Sequence, residues 1–296
     1  MSYARGAAPR RRRSSVPRVA APSDWSLDPD GFVTAAGLVV LYAAGVRAFP
    51  APRWRMVCFG AGVAIVLFTR VSPLATISNH YLLSAHLIQN VAIAEWAPAL
   101  LVLGIPPALG AFVARVPGAR FVTFPPVALA IWLGTYIVWH LPWVYDAALE
   151  HPRSLLHLEH LCYLAAGVVL WWPVFQDAPQ RLSSGAKALY LAAAFFFASP
   201  LGLVLSLLGR PIYTFYEHAP RLWGIDALRD QRIAGVTMAV EEAILFFVLV
   251  AYYVVRFSRE EESIDVRNLR EESLPRPLHP DPGHPSVPLA PSTERE

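Results

Sequence analysis

The chain has 296 residues, of which 55% are hydrophobic and 16% charged, against about 25% charged in an ordinary globular domain. Residues 1–30 and 256–296 hold 24 of the 47 charged side chains, so the long segment between them has too few to coat a soluble domain of its size. A soluble enzyme is excluded on this ground. A net charge of +3 on scattered Arg residues gives no basis for nucleic-acid binding, and Cys58 and Cys162, both in apolar runs, offer no disulfide framework.

In chain order, residues 1–30 read as a disordered Arg/Pro-rich tail, with Arg10 to Arg13 in a row. Seven apolar stretches follow, each close to the roughly 20 residues that cross a hydrocarbon core of about 30 Å. They run from Gly31 to Phe49, Trp54 to Ser72, His80 to Leu103, Phe121 to His140, Arg153 to Pro173, Gly185 to Leu208 and Gln231 to Phe257. Pro98, Pro106 and Pro107 break the end of the third, and Ala108–Val113 reads as a short re-entrant or interfacial helix. Pro200 is expected to kink the sixth. Residues 258–296 form a second disordered tail, rich in Pro and Glu. The expected fold is an all-α, polytopic transmembrane helix bundle over residues 31–257.

The first stretch is longer than a signal-peptide core and lacks a small-residue cleavage site after it, so it reads as a retained span. Short loops on one side carry nine Lys or Arg and those on the other six, which puts the C-terminus in the cytoplasm and the N-terminus outside. The Arg-rich N-terminal tail argues the other way. Trp139, Trp143, Trp171 and Trp172 read as interface anchors. Asp230 and Gln231 open the last span, where a carboxylate suits that helix's own N-terminus.

Ionisable groups inside spans are functional hypotheses by default. Here they are His86, Glu95, His157, Glu159, His160, Glu241 and Glu242, with His80 and His140 at span ends. Antiparallel threading puts His80, His86, His140, His157 and His160 in one shallow layer on one side of the bilayer. His157 and His160, three residues apart, leave one helix face and are expected to share an ion. Met238 lies on a face with Asp230, Ala234 and Glu242. Imidazole with thioether suits copper, although Met238 taken alone reads first as packing. Glu241 and Glu242 read as partners of an Arg, as interhelical hydrogen-bond partners or as acceptors of protons released on metal binding. No phosphate-binding loop, nucleophile elbow or H-E-x-x-H is present, so the chain is expected not to be an enzyme.

Four blocks carry a family resemblance: Ser84 to Gln89; Trp139-His140-Leu141-Pro142 followed by Tyr145 to Leu149; His157-Leu158-Glu159-His160 leading to Trp171-Trp172-Pro173; and Asp230-Gln231 with Ala234-Gly235 and Met238. In order and spacing the chain resembles the polytopic cytochrome c oxidase assembly factors of the CtaG type, over about residues 35–258. One departure is Asn90, where the family often has a second His after Gln89. The resemblance implies seven transmembrane helices, the bacterial inner membrane and a role in maturing a haem–copper oxidase around its copper centre. Its partners would be oxidase subunits, the lipid bilayer and a soluble copper donor. By motif position and ligand chemistry, the expected metal residues are His86, His140, His157, His160 and Met238, binding copper near the outer face. Rival readings are a haem-binding or electron-transfer membrane protein, a metal or solute transporter with Glu241 and Glu242 at its coupling site, and a purely structural scaffold for oxidase subunits.

Overall fold

Proline marks many of the helix starts in this chain. The computed structural model describes residues 20–26 and 28–273. Five of its helices begin on a proline, whose missing N–H and fixed φ suit the first helical position. The elements are α1 (Pro29–Ala48), α2 (Arg53–Val71), α3 (Pro73–His80), α4 (Leu83–Val91), a π-helical turn (Ala92–Trp96), α5 (Ala97–Gly104), α6 (Pro107–Val113), α7 (Ala119–Val122), α8 (Pro125–Trp139), α9 (Pro142–Glu150), α10 (Leu155–Phe175), α11 (Ser184–Leu207), α12 (Thr214–His218) and α13 (Ala227–Ser273). There is no strand among the described residues. The protein is an all-α polytopic bundle.

Six helices are long and apolar enough to cross a membrane, and α8 with α9, bent by 72°, makes a seventh. The third expected span starts later than His80, because α3 ends there and the chain turns at Tyr81 and Leu82 before α4. The fourth starts at Pro125, after the short α7. At 1.5 Å per residue α8 is only about 22 Å long, and α9 supplies the remainder of the bent pair. Ala108–Val113 does lie in a short helix, α6.

The π turn has a local cause. Pro98 has no N–H for the carbonyl of Ala94, and its ring would clash with that carbonyl in a regular α-helix. The freed Ala94 oxygen lies against Gly167 on α10, where an added Cβ would come within 2.1 Å of it. A second close approach joins α11 and α13. A Cβ on Gly235 would be 2.5 Å from the Gly202 carbonyl oxygen. Small residues at such crossings let the backbones meet, so Gly235 has a packing role independent of chemistry.

The α4–π–α5 span and α10 are the most enclosed, and α1 the least. This placement corrects the reading of the tryptophans. Trp171 is fully buried and stacks on Phe246 and Phe175, while Trp139 and Trp172 are also buried. Of the four, Trp143 alone is exposed. A tryptophan near the end of a central helix meets neighbouring helices before it meets lipid headgroups.

The tail expected over residues 1–30 is tied down at its end. Tyr81 donates to the carbonyl of Ala20 at 2.6 Å, and Thr76 to that of Asp24 at 2.8 Å. Residues 1–19 and 274–296, the remainder of the two expected tails, lie outside the described residues. Residues 258–273 are helical, which differs from the disorder expected there. By contacts the chain divides after Val254, and the second unit contains an Arg256–Glu260 pair at 2.9 Å.

Candidate functional site

The site is assembled where the helices meet at one end of the bundle. Asp230 opens it, though not by capping its own helix. Its Oδ2 accepts from the backbone N–H of Leu83 at 2.6 Å and its Oδ1 from that of Ser84 at 3.1 Å. Leu82 gives α4 no side-chain cap, so a carboxylate from α13 satisfies the first turn of α4 and fixes it. Asp226 caps α13 instead, through Arg229 N at 3.0 Å. Gln231 accepts from Ile212 N at 2.9 Å and donates to the carbonyl of Arg210 at 3.1 Å, which holds the loop before α12.

His86, one turn into α4, is fully buried. Tyr216 donates its hydroxyl hydrogen to the Ser78 carbonyl at 2.5 Å, and its oxygen lies 2.9 Å from His86 Nδ1. With that hydrogen used, His86 Nδ1–H donates to the Tyr216 oxygen, leaving the Nε2 lone pair free. Burial pushes the Tyr216 hydroxyl well above its ordinary value, with repulsion from Asp230 and Glu159 adding to it, so it stays protonated. Asp146 in turn fixes α12 by accepting from Thr214 N at 3.0 Å and Phe215 N at 3.1 Å. Gln89, on the same face of α4, donates to the Thr69 carbonyl at 2.7 Å and accepts from Ser78 at 2.7 Å.

His140, just past α8, has the same arrangement. Its Nδ1 donates to the Tyr136 carbonyl at 2.8 Å, and its buried Nε2 has no partner. The ring of Tyr145 lies between the two sites, 5.1 Å from the His86 centroid and 6.0 Å from that of His140. The Tyr145 hydroxyl is likewise unpartnered. Glu159 completes the enclosure: its Oε1 is 3.6 Å from His86 Nε2 and accepts from Asn90 Nδ2 at 2.8 Å.

His160 is buried 6.3 Å from the His86 ring, centroid to centroid, but in the other tautomer. Arg70 donates to its Nδ1. A guanidinium accepts no hydrogen bond, so the Nε2 of neutral His160 carries hydrogen and cannot ligate until Arg70 withdraws. His157 is not with His160. Its Nε2 lies 3.3 Å from Asp28 Oδ1, and its Nδ1 lies 2.6 Å from Asp30 Oδ2. Arg70 also binds Asp28 at 2.5 Å. Burial acts to raise the Asp28 carboxyl, but the hydrogen bond and charge of Arg70 outweigh it and hold the group below its usual value.

The two histidines of α10 therefore have separate partners, and the expectation that they share an ion does not match the geometry. Among the described residues, Asp28, Asp30 and His157 are the one set of three or more His, Cys, Asp or Glu with ligand atoms all within 4.8 Å of one another. His86, His140 and His160 do not close to that distance. Met238 is buried and lines a small recess with Leu87, Val91, Trp96 and Glu241, on a neighbouring face of α4 from His86. His80, the last residue of α3, and His151 are both exposed, the latter with its Nδ1 on the Ala147 carbonyl at 3.0 Å.

The model of the cytochrome c oxidase caa3 assembly factor family matches residues 37–260. The chain belongs to that family. It is 25% identical over 276 residues to an uncharacterised protein of Mycobacterium bovis and to another of Mycobacterium tuberculosis, covering 81% of this chain and 40% of each relative. An uncharacterised protein of Mycobacterium leprae is 27% identical over 281 residues, covering 83% of this chain and 41% of its own. The chain thus spans about two fifths of the length of these curated relatives. No solved structure matches it.

Within this member of the caa3 assembly factor family, several site residues escaped the sequence reading. Tyr216, Arg70, Asp28 and Asp30 all touch or flank the histidines, as does Tyr145, which the sequence offers only as part of a motif block. A signal existed for Arg70, the one arginine at the end of an apolar stretch just before Ser72-Pro73, yet it reads there as a loop charge. Tyr216 lies in the short α12 with no motif spacing to the histidines, and only the folded chain connects them. Asn90 holds Glu159 and leaves its own Oδ1 unpartnered.

Proposed function

We propose that this chain is a membrane-embedded, non-catalytic assembly factor for a caa3-type cytochrome c oxidase. It takes copper as cargo at His86 and His140 and passes it to the oxidase. One observation carries this reading: two buried imidazoles each have Nδ1 committed to a hydrogen bond and no hydrogen bond at Nε2, with Glu159 Oε1 3.6 Å from that of His86. A hydrogen bond at one ring nitrogen that frees the other is how ligating histidines are oriented, and imidazole nitrogen suits copper among the first-row ions. His160 is the third donor, available when Arg70 turns toward Asp28 alone. His157 belongs to the Asp28–Asp30 cluster and Met238 to the recess beside α4, so neither is in this donor set.

The positive-inside count supports a multi-pass protein of the bacterial inner membrane with its N-terminus outside. The histidines then lie near the outer face, where a soluble copper donor would deliver. Oxidase subunits are the receiving partners. The test is genetic: cells lacking the gene are complemented with wild type, His86→Ala/His140→Ala or His157→Ala, and copper per haem is measured in the isolated oxidase. The double variant is expected to yield oxidase depleted in copper, with His157→Ala closer to wild type. Full copper with the double variant, together with loss of oxidase on deletion, would replace this reading with that of a structural scaffold.

A further inference from the structure

Two buried carboxylates and a third that is partly buried gather between the helices, outside the histidine layer. Glu95 lies in the π turn and is wholly buried, and neither of its oxygens has a partner. Glu241 and Glu242 face it from α13, close enough for their charges to act on it. Trp96 Nε1 donates to Glu241 Oε1, and Tyr136 donates to Glu242 Oε1 at 2.5 Å. Each of these glutamates keeps its second oxygen buried and unpartnered. Besides these three, the groups facing the site are Tyr136 from α8, the Ser199 hydroxyl from α11 and, next to Tyr136, Tyr163 from α10. No Arg or Lys pairs with any of the three glutamates among the described residues.

An uncompensated carboxylate costs several kcal/mol to bury, roughly, and a second beside it is opposed by repulsion as well. A proton held on such a group removes that cost. Glu95 is the one of the three with both oxygens unpartnered. Its connection to the histidines runs through one residue. Tyr136 binds Glu242 with its hydroxyl and the Nδ1 of His140 with its carbonyl. Four residues separate Tyr136 from His140, about 6 Å along the helix axis.

We infer that Glu95, Glu241 and Glu242 form a charge-compensating proton site, in which a monovalent cation bound at His86 and His140 displaces one proton from the carboxyl cluster. This rests on the proposed copper reading and adds its charge balance. One carboxylic acid becomes a carboxylate, its proton passes to water, and one positive charge enters the core as another leaves. Cargo loading is then opposed by acid, and release is promoted by it.

The test uses the full chain in detergent with silver(I), which carries the single charge of Cu(I) without redox chemistry. Proton release is followed with a pH indicator in weak buffer as silver is added. Wild type is expected to release about one proton per bound ion. In Glu95→Gln and Glu242→Gln silver still binds, and release falls by at least half in one of them. In parallel, metal-free protein is treated with a lipid-soluble carbodiimide, which adds to protonated carboxyls in apolar surroundings, and the adducts are mapped by mass spectrometry. Labelling at one or more of the three glutamates is expected, and labelling at none overturns the inference whatever the metal does. Silver bound without proton release, or with release unchanged in both variants, also overturns it while leaving the copper reading intact. Failure of wild type to bind silver overturns the copper reading and the coupling together.

Discussion

Asp230→Ala separates a residue that builds the site from one that merely opens its own helix. The Asp230 carboxylate accepts two hydrogen bonds from the first turn of α4, at 2.6 and 3.1 Å, in a buried setting. Removing it leaves the N–H groups of Leu83 and Ser84 without partners, each costing about 1–3 kcal/mol, so the expected loss is roughly 3 kcal/mol. For a chain of this size that corresponds to a Tm lower by about 6–12 °C. Asp230→Asn keeps one acceptor oxygen and should lose about half as much. The assay is thermal unfolding of the detergent-solubilised protein followed by tryptophan fluorescence. Because His86 begins only two residues beyond Ser84, copper affinity should fall in the same order. A loss below about 1 kcal/mol for Asp230→Ala, the size of a simple solvent-exposed cap, would refute the interhelical role.

Three further outcomes are expected. Tyr216→Phe removes the group that orients His86, and titration should show copper affinity lowered about 10–100-fold. Trp171→Ala empties a stacked core position and should cost about 3–5 kcal/mol in unfolding experiments, whereas Trp143→Ala, at an exposed position, should stay within about 0.5 kcal/mol. Asp28, held low by Arg70 against the effect of burial, contributes stability above the ordinary Asp value of 3.8 that is lost as pH falls through its lower folded value. Proteolysis of the segment around residues 20–30 should therefore rise in acid, and Asp28→Asn should show that susceptibility already at neutral pH.

Hydropathy made the membrane spans legible, because about 20 apolar residues in a row admit few other arrangements. The errors arose where one residue served two helices. Asp230 looks like a cap in the sequence, and it is one, but for α4. The spacing of His157 and His160 correctly implies a common helix face, while their partners come from α1 and α2. Arg70 at the end of α2 divides them by binding Asp28 on one side and His160 on the other. Trp171 looked like an anchor because span ends usually face headgroups, yet α10 is central and its end is buried. Likewise Met238 shares a helical face with Glu242 in the sequence, but periodicity cannot say that the neighbouring helix turns His86 to a different side. The tautomers of His86, His140 and His160, on which the chemistry depends, follow only from hydrogen bonds between distant segments.

The central claim is that His86 and His140 hold the cargo ion. It is tested most directly by equilibrium binding of Cu(I) to the purified full chain under reducing conditions, with the stoichiometry compared among wild type, His86→Ala/His140→Ala and His157→Ala. The account predicts a tight site in wild type that is retained in His157→Ala and lost in the double variant. Retention of that site in the double variant, or its loss in His157→Ala alone, would contradict it.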